Sequence, residues 1–195
     1  MNPRSPSSSP TVPIEALVAI GNRHLDALVR VDVYDYASCY LWHDRPLFNE
    51  FGEAIAELRG ETIYLFRASE TPVRDLFHEL GHVIARRHRL VGNSENGFNG
   101  SWEKDNAKLI AEICAQRHWS GYLNLYALSH PEFAMNAASE LWAELFMLWH
   151  LHPECDEARL LDAGMRALED QADFAAIAGL AGELKLAGGG SDASD

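Results

Sequence analysis

The sequence predicts an α+β fold, mainly helical, with a small sheet placed before one chemically loaded helix. Three observations carry this. Ile14 to Arg30 repeats apolar residues at helical spacing. Ile63, Tyr64, Leu65 and Phe66 form a run of favourable β residues behind Gly60. Residues 134–151 are apolar nearly all round, which marks a buried helix. A length of 195 residues suits one domain with its own core.

The elements follow in order. Residues 1–13 hold four Pro and four Ser and read as a disordered arm. A helix is expected over 14–30, then one or two short strands within 31–42. Pro46 and Gly52 break the next stretch, and FNEFGEAIAELRG predicts a short helical turn. GETIYLF predicts a strand over 61–66. Thr71 is a good N-cap and Pro72 a favoured first helical residue, so a helix starts there and runs to about Leu90. The Gly/Asn/Ser loop VGNSENGFNGS follows. Further helices are expected over 102–119, over 134–151 before Pro153, and once or twice within 156–186. GGGSDASD, 188–195, reads as a flexible tail. The organisation is one domain, 14–187, between an arm and a tail.

Composition excludes several classes. The formal net charge of -13 disfavours nucleic acid as a partner, because phosphate binding needs a basic face. It disfavours a polybasic membrane anchor as well. No apolar run approaches the ~18 residues of a spanning helix. The first residues lack the apolar core of a secretory signal peptide, so the chain is expected to be made in the cytoplasm. Cys39, Cys114 and Cys155 are too widely spaced for a CxxC pair.

Nine His redirect attention to 71–90. There His78-Glu79-Leu80-Gly81-His82 forms an HExxH motif. On a helix, residues four apart differ by about 40° and about 6 Å, so two imidazoles can converge on one ion. Glu79 beside them can activate water at that ion. Chance produces such a motif in roughly a few per cent of chains of this composition, so the helical wheel has to support it. Val73, Leu76, Phe77, Leu80, Val83 and Ile84 form one apolar arc. His78 and His82 face away from it. Asp75, Gly81 and Ala85 lie on the opposite side, as the floor of an accessible cleft would.

A catalytic zinc usually takes three protein ligands and keeps one position open. Three candidates compete for the third place. His88 has nearly the spacing of HExxHxxGxxH, but Ala85 replaces the Gly that would let the chain leave the helix. A continuing helix carries His88 about 9 Å further along. Glu112 falls on the polar side of its own helix. Glu140 and Glu144 are the only carboxylates of the apolar segment 134–151, and they share a face. Buried carboxylates need a cation or a donor. One of them would ligate the ion and the other would accept the outer N–H of a ligand His, in either order.

HELGH followed some 58 residues later by ELWAELFMLWH resembles the lethal factor-like zinc metallopeptidases and the related Pro-Pro endopeptidases. The likeness covers roughly residues 61–151. It implies a zincin-like metallopeptidase domain of the gluzincin type, with Zn²⁺ as cofactor and a protein or peptide as substrate. It implies His78, His82 and Glu140 as metal ligands, Glu79 as the catalytic base, and Glu144 as the supporting carboxylate. The family places a Tyr seven residues before the ligand Glu, and here that position is Phe133. Tyr122 and Tyr126 lie upstream as substitutes. The departure motivates a rival reading, a catalytically weak or inactive metal-stabilised module that grips a partner. A zinc hydrolase of cell-wall peptides ranks lower, because an acidic chain has no attraction to an anionic wall.

The strand at 61–66 is expected to be an edge that pairs an extended substrate. Arg74, Arg86, Arg87 and Arg89 crowd onto the metal-binding helix and are expected to make its cleft less negative than the whole. A Ser/Pro arm on a compact toxin-like peptidase fits an effector or toxin delivered by a specialised system, and fits a housekeeping peptidase equally.

Overall fold

The computed structural model describes residues 12–34, 47–48, 54–67, 69–92, 100–106, 108, 137–166 and 168–188. Among them the chain runs α1 (Ile14–Leu25), β1 (Arg30–Tyr34), β2 (Leu47–Phe48), β3 (Ala54–Arg59) and β4 (Thr62–Phe66). It continues with α2 (Pro72–Arg87), α3 (Ser101–Asp105), α4 (Ala137–Leu151), a 3₁₀ turn (Ala158–Leu161), α5 (Asp162–Arg166) and α6 (Ala172–Gly188). The architecture is mixed α and β, mostly helical, with its sheet ahead of the HExxH helix.

The helix expected over 14–30 stops at Leu25, and Arg30 already starts β1. Val12, two residues before α1, is also buried in the core. The predicted helical turn in FNEFGEAIAELRG is instead strand β3 over its last six residues. Ala, Glu, Leu and Arg are strong helix formers, which explains the expectation. The winning term is nonlocal. Gly60, at φ 61°, makes a tight turn that folds Ala54–Arg59 back on Thr62–Phe66, with Arg59 opposite Thr62 and Ala56 opposite Leu65.

The four strands lie in the order β1-β4-β3-β2. β4 runs parallel to β1 and antiparallel to β3. The strand expected as an edge is therefore flanked on both sides, and both of its backbone rows are occupied by neighbours. Its burial follows: Ile63, Leu65 and Phe66 are fully inside. The outer strand β1 is partly closed by a side chain. Asn22 Nδ2 donates to the Val31 carbonyl at 2.7 Å, and Val31 N–H donates to Asn22 Oδ1 at 2.8 Å. That amide imitates a neighbouring strand at the exposed edge.

α1 packs on β1 and on α6, while α2 lies against β3, β4 and α4. Pro72 opens α2 as expected, but Thr71 makes no side-chain cap. Its hydroxyl donates to Asp75 Oδ1 at 3.3 Å, and Ser69 Oγ donates to Asp75 Oδ2. Asp75 thus ties the β4–α2 connection to the first turn of the helix. Burial pushes its carboxyl up to about 7, against the hydrogen bonds from Ser69 and Thr71 and the charges of Arg74 and His78.

The C-terminal half closes the core. His150 on α4 is buried among Phe77, Phe146, Trp149 and Phe174, with ring centroids 4.6 to 5.9 Å away. Burial there, with Lys185 nearby, lowers its pKa to about 3. The unfolded chain would bind this proton from about pH 6.5 downward, whereas the fold resists it to about 3. Stability is therefore lost as pH falls through that window. We expect His150→Phe to gain on the wild type in urea unfolding as pH drops from 7 to 5. A difference that does not change with pH would contradict a buried neutral imidazole.

Candidate metal centre

The helix of residues 137–151 can be buried because it has almost nothing polar to solvate. Leu141, Trp142, Ala143, Leu145, Phe146, Met147 and Leu148 are all at most 1% exposed. It crosses α2 at Gly81. A Cβ placed there would stand 2.7 Å from Ala143 Cα, far inside van der Waals contact. Trp142 Nε1 donates to the Gly81 carbonyl at 2.9 Å, which fixes the crossing in register. The Gly of HELGH is thus a packing requirement between the two helices.

This crossing corrects one expectation from the helical wheel. Asp75, Gly81 and Ala85 do not line an open cleft floor: α2 is buried on that side too. What stays partly open is narrower. His82 and Glu140 keep side-chain exposures of 18% and 12%, while His78 has 1%.

Across the crossing, three donor atoms meet. His78 Nε2 and His82 Nε2 are 3.2 Å apart. Glu140 Oε2 is 3.4 Å from the first and 3.6 Å from the second. Three corners of a tetrahedron around one ion, with bonds of ~2.0–2.1 Å, are about 3.3 Å apart. The spacing therefore fits a single small cation with a fourth side left over, and this His78–His82–Glu140 group could hold a metal ion.

The charges agree with the distances. Burial alone would raise the Glu140 carboxyl, yet its contacts with His82 and His78 hold it well below the usual carboxylate range. Burial alone would lower His78, yet Glu140 and Glu144 together hold it well above the usual imidazole range. The two carboxylates thus make the surroundings of His78 negative, which favours a cation there, whether a proton or a metal.

The far nitrogen of each imidazole lies close to a polar side chain of α4. His78 Nδ1 is 2.8 Å from Glu144 Oε1, at hydrogen-bond distance though not in straight N–H···O alignment. His82 Nδ1 is 3.0 Å from Ser139 Oγ. Polar groups at Nδ1 are the kind of neighbour that orients a metal-binding imidazole with Nε2 toward the ion. Ser139 escaped sequence reasoning. A hydroxyl beside Glu140 is a weak sign, and only the helix crossing brings it to His82.

The remaining predicted residues sort cleanly. Glu79 is buried at 4% exposure next to His78. His88 lies past the end of α2, where its Nε2 is 3.1 Å from Asp173 Oδ2, so it takes no part in the triad. Arg87 joins the same carboxylate at 2.8 Å. Arg86 donates to the Gly60 carbonyl at 2.6 Å, on the β3–β4 turn. The Arg cluster is thus not gathered at the metal group: Arg86 and Arg87 engage partners at the far end of α2. Arg74 alone of these four reaches the site, with Nη2 3.1 Å from Glu144 Oε2. Glu112, Tyr122, Tyr126 and Phe133 lie outside the described residues.

The packing requirement is testable. Gly81→Ala should destabilise the fold by about 1–3 kcal/mol, the usual range for overpacking. It should weaken metal binding too, because it pushes Glu140 away from both His. Denaturant unfolding and metal titration would show both, and an unchanged unfolding midpoint would contradict the close approach. No protein-family model, curated protein or solved structure matches the chain.

Proposed function

We propose that the chain is a zinc-dependent metallopeptidase with a zincin-like fold of the gluzincin type. The observation that supports it best is the tetrahedral spacing of His78 Nε2, His82 Nε2 and Glu140 Oε2. Two imidazoles and one carboxylate are a usual donor set for catalytic zinc, and they leave a position for substrate or water. Zinc held there supplies Lewis-acid polarisation of a carbonyl oxygen and makes water acidic near neutral pH.

The side chains of this chain perform the rest. Glu79 accepts a proton from the attacking water at its carboxylate and later delivers it to the leaving amine. Water and an amide thereby become a carboxylic acid and an amine, with Glu79 returned to its starting state. Glu144 and Ser139 keep the two imidazoles turned with Nε2 inward. A peptide would approach over the partly exposed side chains of His82 and Glu140.

The expected substrate edge has to move. β4 is interior, so an extended peptide would instead add beside the sheet's outer strand β2. β2 pairs only with β3 among the described strands.

Purified protein should contain about one zinc per chain and cleave a diverse peptide library in a chelator-sensitive manner. Glu79→Gln should abolish cleavage, a loss of at least about 100-fold for a general base, while retaining the zinc. Protein purified without chelator that carries no zinc would contradict the proposal. Phe133, in the place of the family Tyr, favours a second reading. A loaded protein with no cleavage, whose partner survives Glu79→Gln, would establish that inactive binding module instead.

A further inference from the structure

Arg74 stands one helical turn before His78 on the same face of α2. Its Nη2 is 3.1 Å from Glu144 Oε2, and Glu144 Oε1 is 2.8 Å from His78 Nδ1. One carboxylate therefore lies between a cation and a candidate metal-binding imidazole, hydrogen-bonded to Arg74 through Oε2 and in ion-pair contact with His78 through Oε1. Exposure falls along the chain of contacts, from 32% at Arg74 to 2% at Glu144 and 1% at His78.

A carboxylate held by neither oxygen can turn about its side-chain torsions. With Oε2 gripped by Arg74, the other oxygen of Glu144 is kept within 2.8 Å of His78 Nδ1. A buried carboxylate also requires a nearby cation to stay charged without large cost. Hydrogen bonding at Nδ1 is what directs the Nε2 lone pair of a metal-binding His.

We propose that Arg74 is a positioning residue of the metal centre. It grips Glu144 Oε2, sets Glu144 Oε1 against His78 Nδ1, and so keeps His78 Nε2 aimed at the ion. This rests on the zinc reading above and adds a residue that the HExxH and ExxxE patterns do not contain. Arg suits the role because its planar fork reaches an oxygen from a neighbouring helix in a fixed geometry.

The test measures zinc affinity by competition with a chromophoric chelator, alongside melting of the metal-free protein. The proteins are wild type, Arg74→Met, Arg74→Lys, Glu144→Gln and the Arg74→Met/Glu144→Gln double variant. Arg74→Met should weaken zinc binding by about 10-fold or more, the usual cost of losing an outer-layer partner. Arg74→Lys should recover part of that loss. In the Glu144→Gln background, Arg74→Met should add less than twofold, because its effect passes through Glu144. Affinity of Arg74→Met within twofold of wild type would overturn the proposal. So would a full loss that persists in the Glu144→Gln background. Should Arg74→Met fail to fold, Arg74→Lys with and without Glu144→Gln makes the same comparison. A wild type that takes up no zinc overturns this inference and the proposed function together. A loaded wild type with an unaffected Arg74→Met overturns this inference alone.

Discussion

Everything at the candidate centre depends on how closely α2 and α4 approach. Gly81 sets that distance, since any side chain there would collide with the Ala143 backbone. Trp142 sets the register by its bond to the Gly81 carbonyl. The donor triad is split across this contact: both imidazoles belong to α2 and the carboxylate to α4. A shift of one helix by ~1 Å would separate corners that a small cation needs about 3.3 Å apart. Core packing and the spacing of the candidate donors are therefore a single constraint.

The same contact explains why the polar groups can be buried at all. Glu140 and Glu144 would be costly passengers on an otherwise apolar helix. Each instead meets an imidazole or a cation. Glu140 faces the two His, and Glu144 lies between His78 and Arg74. The net charge of -13 says little about this neighbourhood. What matters is the order of cation, carboxylate, imidazole and carboxylate across two helices. At the other end of α2, Asp173 gathers Arg87 and His88, which fixes the start of α6 there and keeps both side chains away from the triad.

Much of this arrangement was legible in the sequence where the rule is local. His78 and His82 are four residues apart, and helical geometry alone brings them together. The apolar character of 141–148 foretold a buried helix, and the pair Glu140 and Glu144 foretold a polar face on it. The resemblance ordered that pair, with Glu140 at the ion and Glu144 behind His78, and the distances follow the same order. The misses are all nonlocal. Ala54–Arg59 has helix-forming residues but pairs as a strand, because the Gly60 turn offers it a partner. β4 looked like an edge until the parallel strand β1 took its other side. Asp75, Gly81 and Ala85 looked like cleft floor because a wheel cannot show the helix that covers them. Ser139 and Arg74 carry no motif. Their roles exist only once α4 lies across α2.

Anomalous diffraction at the zinc edge, from crystals of protein purified without chelator, addresses the central claim most directly. The account predicts one peak at bonding distance from His78 Nε2, His82 Nε2 and Glu140 Oε2, with no protein atom in the fourth position. A peak coordinated by Glu144 or His88 in place of Glu140, or no peak between α2 and α4, would contradict it.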